Sequence, residues 1–422
     1  MLARFWNCAL LMIVMVAGAS GALMPSFSQA KEQTPTFDLD HIINLALERN
    51  PAIAGAQSVI QQDEGRRTQA GAYPNPTLGG GTGSGALRDP TTGGPRVTEY
   101  NLTLHQTVEW PGMRAARKDA AEAGLAGATV GLDEAKLNLI AEVKQIFYEL
   151  LLAERTVDLL QQNLEIVQEV ARIVKARVRS GEGPQFESVK AEVEVLKAKQ
   201  EMTKAKNVVR VKLVGLDTLT SGALGPRYKV QGDFRSLREH LDPEQMAARD
   251  LSQHPVLKRH GKLVEQAEFT VSKERQARVP NVTFFGGYAR DAGREAVIAG
   301  ASLPTPLWYL QQGHIATALG TQRKEESELL RARNEINRAI NQHAREAETA
   351  QEQILVYEEG LLKQAQEALR IAQLSFRQGA SSLLDVLDAQ RVQRQITVDY
   401  NLARFELSLA LTRFERALGG PL

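Results

Sequence analysis

The chain has 422 residues, with 51 Lys and Arg against 50 Asp and Glu, and only 5% of its residues are aromatic. This balance of charge gives no field that would attract nucleic acid, and a basic amphipathic membrane binder is equally unsupported. The abundance of Ala, Glu, Gln, Leu, Arg and Val in the middle of both halves predicts long helices rather than a compact mixed core.

The first 30 residues have the pattern of a secretory signal peptide. Arg4 precedes an apolar segment at residues 9–17, and Ser28-Gln29-Ala30 has the small-x-small form of a cleavage site. A retained membrane anchor is the alternative interpretation, although glycine and serine shorten its apolar part below a full span. The single cysteine, Cys8, lies in this segment, so we expect no disulfide in the mature chain.

Two short helices and two strands are predicted before the first long helix. The helices cover residues 38–72 and are broken at Asn50-Pro51, because the residue before a proline disfavours the helical conformation. The first strand, at 77–86, is rich in glycine, and the second, at 97–108, alternates apolar and polar side chains. The segment between them, 88–96, is a polar turn with several Gly and Pro residues.

Residues 113–179 are almost free of helix breakers. From Leu132 to Val178, apolar or small residues recur with alternating spacings of four and three, which predicts a helix that supercoils against a neighbour. At 1.5 Å per residue such a helix is roughly 100 Å long, far longer than a globular domain requires. Residues 181–184 break this helix, and a second helix returns to about Leu219.

The second half of the chain restarts the same order after an irregular segment at 221–242. The predicted elements are helices flanking His254-Pro255, strands at 281–290 and 295–303, a long helix at 315–378 and a final helix at 382–418. The segment Val178-Arg179-Ser180-Gly181 corresponds to Phe376-Arg377-Gln378-Gly379, so the chain is internally duplicated. The predicted organisation is a signal peptide (1–30), a first repeat (31–220) with a strand pair at 77–108, the mid-chain segment (221–242) and a second repeat (243–422) with a strand pair at 281–303.

Four amphipathic strands per chain leave open sheet edges, which a secreted protein can close by oligomerising into a shared barrel. Apolar residues on these strands would then face lipid, and the alternating polar ones would face the pore. The lipid-facing candidates are Tyr100, Leu102, Leu104, Phe284 and Tyr288, and the pore-facing ones are Glu99, Asn101 and Thr103. The alternative is that the apolar residues form the core of a soluble β-sandwich.

The second hairpin carries the most specific motif, Phe-Arg-Gln-Gly-Ala-Ser-Ser-Leu-Leu-Asp-Val-Leu-Asp-Ala-Gln-Arg at 376–391. It resembles the hairpin motif of the TolC family of outer-membrane efflux channels, and the resemblance covers both repeats. Such channels are mainly α with membrane β: a homotrimer whose twelve-stranded β-barrel, four strands per chain, continues into a twelve-helix periplasmic α-barrel. The resemblance implies a passive duct in the outer membrane of a Gram-negative bacterium, in contact with lipid, with no catalytic step and no cofactor.

The same resemblance implies partners and a substrate class. Known members receive cargo from an inner-membrane pump and a periplasmic adaptor. Glu109-Trp110-Pro111-Gly112 and Arg114 resemble the CzcC-like branch, which serves heavy-metal pumps of the resistance-nodulation-division (RND) type. The seven histidines show no helical ligand spacing, so we predict no metal site. Organic toxicants or secreted polypeptides are alternative cargoes, and a non-pore periplasmic coiled-coil scaffold or adaptor is the alternative of another class.

Four residues are predicted to line the periplasmic aperture. Asp385 and Asp388 are three apart on the last helix and therefore share a face. By resemblance this face lines the entrance, where Glu187 and Lys190 are the counterparts from the first repeat. In a trimer the carboxylates outnumber the lysines three to one, and such a ring favours cations. The alternative is that they are ordinary helix-start carboxylates favoured by the helix dipole.

The hairpin tips are the candidates for gating and adaptor docking. The resemblance implies an entrance closed by an aromatic hydroxyl and a basic residue, but the corresponding Phe376 and Ser381 cannot form that contact. Arg179 and Arg377 lie nearby and are the candidate replacements. By the same resemblance the adaptor docks on Gly181, Glu182, Gly183, Pro184, Gly379, Ala380, Ser381, Ser382, Leu383 and Leu384. The alternative is that any helical hairpin needs such turn residues.

Overall fold

The computed structural model describes residues 35–86, 94–237, 251–291 and 294–421. The predicted signal peptide, with Cys8, lies outside the described residues. So do most of the turn predicted at 88–96 and the end of the mid-chain segment predicted at 221–242.

The first half contains strand β1 (Thr36–Phe37), helices α1 (Leu39–Arg49) and α2 (Pro51–Gly71), strands β2 (Thr77–Ala86) and β3 (Arg96–Val108), and helices α3 (Pro111–Arg179) and α4 (Gln185–Leu219). Strand β4 (Lys229–Val230) and a 3-10 turn (Leu251–Gln253) precede the second half. It consists of helix α5 (Pro255–Gln276), strands β5 (Val282–Asp291) and β6 (Arg294–Ser302), helix α6 (Gln312–Val356), a π-helical turn (Tyr357–Leu361), and helices α7 (Leu362–Arg377) and α8 (Leu383–Leu418).

Most of these elements match those expected from the sequence, with ends that differ by a few residues. Of the helix expected before His254, the described residues contain only the 3-10 turn Leu251–Gln253, and the rest lies outside them. The long helix expected at 315–378 also differs, because the π-helical turn divides it into α6 and α7. The expected break between α1 and α2 has a clear cause. The side-chain oxygen of Asn50 accepts the amide N–H of Ala52 at 2.8 Å and so caps α2, while its Nδ2 donates to the Leu219 carbonyl at 2.9 Å.

The four long strands form one antiparallel sheet in the order β2-β3-β5-β6. Because side chains alternate between faces, the register places most of the large apolar residues on one face. Those that are exposed on this face are Leu78, Tyr100, Leu102, Leu104, Val108, Phe284, Tyr288 and Val297. Glu99, Asn101 and Thr103 lie on the opposite face, together with the alternate glycines of β2. Strands β2 and β6 form the two edges of this sheet.

The helices pack in an elongated arrangement around α3, which contacts α1, α2, α4, α5 and α8. Three apolar clusters hold it together. The first joins α1, α3 and α4 around Phe147, Leu150 and Leu216. The second joins α6 and α8 around Ile340 and Phe414, and the third lies near the hairpin tips. No helix in the described ranges contains an apolar stretch long enough to cross a membrane.

The middle of the molecule ties the two halves together. Strands β1 and β4 pair in parallel over two residues. The buried carboxylate of Glu415 on α8 accepts from Lys144 Nζ of α3 at 2.7 Å and lies 2.8 Å from Arg235 Nη1 of the mid-chain segment. One carboxylate between two cations is the arrangement that can offset the desolvation of a buried charge. The mid-chain segment is therefore anchored to both repeats.

Candidate channel aperture at the hairpin tips

Both hairpins turn with the same backbone geometry. Gly181 and Gly379 have φ of 80° and 76°, a left-handed conformation that side chains disfavour. The amide of Glu182 then donates to the Arg177 carbonyl at 2.8 Å, and the equivalent bond closes the second turn at the same distance. This is the glycine-based C-terminal cap of a helix. The two residues that repeat 198 positions apart are therefore required by the turn itself.

The helices that leave the two turns start differently. Helix α4 begins after Pro184 without a side-chain cap, whereas α8 begins with a capping box. There the amide and hydroxyl of Ser382 donate to the Asp385 carboxylate at 2.9 and 2.8 Å. These bonds hold the pKa of Asp385 below its usual range. The exposed carboxylate is thus charged at neutral pH. It also caps the start of α8, as expected for the alternative interpretation as a helix-start carboxylate.

Two of the four predicted aperture residues lie in one groove. Asp388 of α8 and Lys190 of α4 line a groove of about 470 Å³ between these helices. Other charged residues that line this groove are Glu194, Lys197, Glu201, Lys204, Arg391 and Arg394. Asp388 pairs with Arg391 at 2.6 Å, so part of its charge is neutralised within α8. Asp385 and Glu187 lie about one turn nearer to the tips and are not among the residues that line this groove.

Among the candidate gating residues, Phe376 is buried and only 2% exposed. It packs with Val170, Ala171, Val174, Ala191, Leu383 and Val386, which come from both hairpins. The guanidinium of Arg177 lies 5.5 Å from the centre of the Phe376 ring, a cation–π distance. Arg177 was not among the residues predicted from the sequence, and its position two residues before Arg179 was the available signal. In this structure Phe376 joins the hairpins through packing.

The remaining candidate gating residues make contacts within their own hairpins. Arg179 is exposed, and its Nε donates to the Lys175 carbonyl at 3.3 Å. The Ser381 hydroxyl donates to the Ala372 carbonyl at 3.4 Å, and Arg377 is exposed. Their role in gating stays a prediction. At the tips, Leu383 is buried in the apolar cluster, whereas Leu384 is exposed and available to a partner.

A buried polar pair joins the hairpins above the tips. The side-chain amide of Gln390 on α8 donates to the side-chain carbonyl of Asn163 on α3. Both residues are less than 9% exposed. Sequence reasoning missed this pair, because Gln390 lies in the 376–391 motif but nothing in the sequence connects it with Asn163. The only signal was an Asn beside Leu164 in an otherwise apolar helix face.

At the opposite end of α3, an ion pair fixes the junction with the sheet. Arg117 donates to both oxygens of Glu109, at 2.7 and 2.9 Å. Arg114 donates twice to the Gly71 carbonyl, at 3.0 and 2.6 Å, and its guanidinium lies 4.0 Å from the centre of the Tyr73 ring. These arginines satisfy carbonyl groups at the C-terminal end of α2. The Glu109 to Arg114 motif therefore positions the sheet on the helices.

Within the described ranges, no three His, Cys, Asp or Glu side chains are grouped closely enough to hold a metal ion. Near the tips, Asp385 is exposed and bonded within its capping box, and Asp388 is exposed and paired with Arg391. Such an arrangement can attract and pass ions without binding them tightly.

Comparison with known proteins places both halves in one family model. Residues 42–222 and 248–420 match the model described as outer membrane efflux protein. The sequence is 25% identical over 412 residues to the cobalt-zinc-cadmium resistance protein CzcC of Cupriavidus metallidurans, covering 94% of this chain and 96% of the relative. It is 24% identical over 416 residues to the pyoverdine export outer membrane protein OpmQ of Pseudomonas putida, covering 91% and 86%.

Solved structures show the same fold at low sequence identity. A crystal structure of CusC has a TM-score of 0.76 and 16% identity, with 90% of this chain and 92% of that chain covered. The outer membrane channel CmeC of Campylobacter jejuni has a TM-score of 0.77 and 17% identity, with coverages of 90% and 85%. VceC of Vibrio cholerae has a TM-score of 0.75 and 20% identity, with coverages of 91% and 96%. The fold is thus that of TolC-like outer-membrane channels.

Proposed function

Because this chain belongs to the outer membrane efflux protein family, whose members are channels rather than enzymes, we propose that it is the exit duct of a three-part efflux system for heavy-metal cations. The protein acts at the outer membrane. The observation that carries the metal assignment is the similarity to CzcC, which extends along nearly the whole of both chains. The duct is passive, and the pump supplies the energy.

The proposed assembly is a homotrimer with a closed barrel. Successive strands of the sheet are antiparallel, so its two edge strands, β2 and β6, run in opposite directions. Strand β6 of one copy can therefore pair in antiparallel fashion with β2 of the next. Three copies with four strands each give twelve strands, with the apolar face toward lipid. This closure removes the open edges, which would otherwise be sites of aggregation.

Exposed apolar residues on the helices support the same assembly. Helix α4 carries large apolar side chains on its surface at helical spacing, namely Val189, Val193, Leu196, Val208, Val211 and Val214. A single chain leaves them in contact with water, which is unfavourable for a stripe of this length. Packing against the next copy would cover them and close α3, α4, the long helix formed by α6 and α7, and α8 of three chains into a twelve-helix barrel. The two internal repeats, 31–220 and 243–422, would then alternate around it.

The proposed partners are a periplasmic adaptor at the hairpin tips and an inner-membrane RND pump behind it. The exposed Leu384 and the turn glycines are accessible to such an adaptor in the single chain. At the same end, the carboxylates of Asp385 and Asp388 would form the narrow entrance together with Glu187 and Lys190. Their excess of negative charge favours cations over anions.

A gene deletion tests the cargo. Cells lacking the gene should retain more zinc, cobalt or cadmium and should grow less well in the presence of these ions. A plasmid copy should restore export, and a matched copy of the gene with Asp385→Ala and Asp388→Ala should restore it less. Sensitivity to hydrophobic drugs with unchanged metal content would refute the metal assignment. Export of pyoverdine is the second candidate, because OpmQ is also similar along most of its length.

The location and assembly are tested separately from the cargo. The outer-membrane fraction should contain a trimer that resists dissociation by detergent until it is heated. A soluble monomer in the periplasm would instead support a coiled-coil scaffold or adaptor without a pore. Because this measurement does not depend on substrate, it distinguishes failure of the duct from failure of the metal assignment.

A further inference from the structure

Strand β2 carries glycine at every second position on the face opposite the apolar one. Gly79, Gly81, Gly83 and Gly85 face the same side as Glu99, Asn101 and Thr103 of the adjacent strand. In the proposed barrel this side is the lumen. The glycines therefore leave the lumen side of β2 without side chains, next to the edge at which the neighbouring copy would pair.

Polar side chains of β3 extend into the space that these glycines leave. A methyl group at Gly79 would lie 3.1 Å from Thr103 Oγ1, and one at Gly81 would lie 2.8 Å from Asn101 Oδ1. A methyl group at Gly85 would overlap the Glu99 carboxylate, whose second oxygen lies 3.7 Å from the corresponding position at Gly83. The Glu99 side chain therefore lies flat along the wall and does not extend across the lumen.

Among the described strand residues on this face, no positive charge offsets the negative charge of Glu99. Asp291 and Arg294 also lie on the lumen face, but they are directly opposite each other in the β5–β6 register. On the lipid face, Glu295 is opposite Arg290, with 3.8 Å between their charged atoms. Glu99 is opposite Gly83, which has no side chain to compensate its charge. The lumen surface formed by the four strands thus has a net charge of about one carboxylate per chain.

We propose that Glu99 is a selectivity-determining residue, which makes the barrel lumen attractive to cations at a second point beyond the periplasmic aperture. This inference rests on the proposed function, since it requires the barrel. The glycines leave the space in which the carboxylate lies against the wall, so it biases the ions that pass without narrowing the path. A trimer carries three such carboxylates around the lumen. The substrate class that benefits is a hydrated cation, in agreement with the proposed metal cargo.

The local potential at Asn101 measures this effect directly. Asn101 is two residues from Glu99 on the same face, a distance of about 7 Å along a strand. One unit charge at this distance, in water with about 0.1 M salt, should change the ratio of cation to anion concentration about threefold. The predicted mature chain contains no cysteine, so Asn101→Cys would introduce a single thiol. The effect should nearly vanish at 1 M salt, because screening then acts within about 3 Å.

The experiment uses the full chain, assembled in outer-membrane vesicles, with Asn101→Cys as the reporter. Two methanethiosulfonate reagents modify this thiol, one with a trimethylammonium cation and the other with a sulfonate anion, and mass spectrometry measures both rates. The rate with the cationic reagent divided by the rate with the anionic one should fall about threefold when Glu99→Gln is added. The matched variant Glu295→Gln, on the opposite face, should leave the ratio unchanged. Heat-resistant trimers in each variant show that folding is intact.

Two outcomes have different consequences. A rate ratio that does not change with Glu99→Gln, while Asn101→Cys still reacts, would overturn the role of Glu99 and leave the duct intact. Leu102→Cys reports on the apolar face and should be protected by lipid. Reaction at Leu102→Cys with protection at Asn101→Cys would invert the faces of the sheet, and the proposed barrel itself would then be wrong.

Discussion

The side-chain amide of Gln390 on α8 donates a hydrogen bond to the side-chain carbonyl of Asn163 on α3, and both side chains are buried. The pair lies beside the groove between the hairpins and connects the two internal repeats. Rows of packed apolar side chains alone tolerate sliding of one helix along another, whereas a buried polar pair is satisfied in only one register. We therefore expect this pair to fix the axial position of one hairpin relative to the other.

Removal of one partner should cost more than removal of both. Gln390→Ala would leave the Asn163 amide buried without its partner, with a loss of about 1 to 3 kcal/mol in the free energy of unfolding. The double variant Gln390→Leu with Asn163→Leu should recover most of that loss, because no polar group is then left unsatisfied. Denaturant titration of the purified trimer measures both. A double variant as unstable as the sum of its single variants would contradict the coupling.

The π-helical turn at Tyr357–Leu361 interrupts the second hairpin, whereas the equivalent α3 is continuous. The Tyr400 hydroxyl donates to Glu358 in this turn at 2.8 Å, and its ring contacts Tyr357 edge to face. Because π turns kink helices and frequently occur at functional sites, we expect the second hairpin to bend here when the entrance opens. The Tyr400–Glu358 bond would then restrain the closed state.

Tyr400→Phe should weaken this restraint. Loss of a bond worth about 1 kcal/mol would raise the ratio of open to closed channels about fivefold. Single-channel recording of reconstituted trimers measures that ratio. Tyr357→Phe keeps the aromatic contact and serves as the matched control. An unchanged ratio in Tyr400→Phe would show that this bond does not restrain opening.

The Glu109–Arg117 pair should matter for assembly of the barrel on the helices. The Glu109 side chain is only 8% exposed, so Glu109→Gln would leave the Arg117 cation without its charged partner. We expect a loss of about 3 kcal/mol and fewer heat-resistant trimers. The surface variant Glu328→Gln, which breaks an exposed pair with Arg331, should leave trimer yield unchanged. Equal yields for the two variants would refute a special role for the junction.

His254 should make stability depend on pH. Its Nδ1 accepts the Val256 amide at 3.2 Å and caps α5, and burial lowers the pKa of the imidazole. The backbone of Arg416 and Ala417 and the charge of Glu134 oppose this shift, whereas the charge of Arg416 adds to it. The unfolded chain, with a histidine pKa of about 6.5, therefore binds the proton more readily. The stabilisation is complete above that pH and is lost as pH falls below it.

Asparagine is an effective N-cap that does not titrate, so His254→Asn should flatten the dependence of stability on pH. The measurement is the thermal dissociation temperature of the trimer between pH 5 and 8. The control His314→Asn, at an exposed position, should keep the slope of the native protein. If the dissociation temperature of His254→Asn changes with pH as steeply as that of the native protein, other groups cause the pH dependence.

The sequence predicted the elements well because their signals are local. The apolar repeat from Leu132 to Val178 predicts one helix, and the helix breaks at Asn50-Pro51 because proline restricts the residue before it. The π turn was missed, since Gly360 was its only local sign and the helical pattern continues on both sides. The pairing of Thr36–Phe37 with Lys229–Val230 was also missed, because two-residue strands have no periodicity.

The candidate site was predicted in part. The turn geometry at Gly181 and Gly379 follows from glycine in a repeated motif, and the structure has it at both tips. The burial of Phe376 could not be inferred, because it depends on how the two hairpins pack against each other. The same holds for Asn163 and Gln390, which are 227 residues apart in sequence. A single sequence contains no signal that predicts a long-range pair of uncharged residues.

Three copies of the chain are proposed to form one duct that favours cations. The reversal potential of purified, heat-resistant trimers in a planar bilayer under a salt gradient tests this proposal. We predict discrete conductance steps with cations more permeant than anions, and a smaller preference in the variant with Asp385→Ala and Asp388→Ala. Trimers that conduct no ions, or that prefer anions, would contradict it.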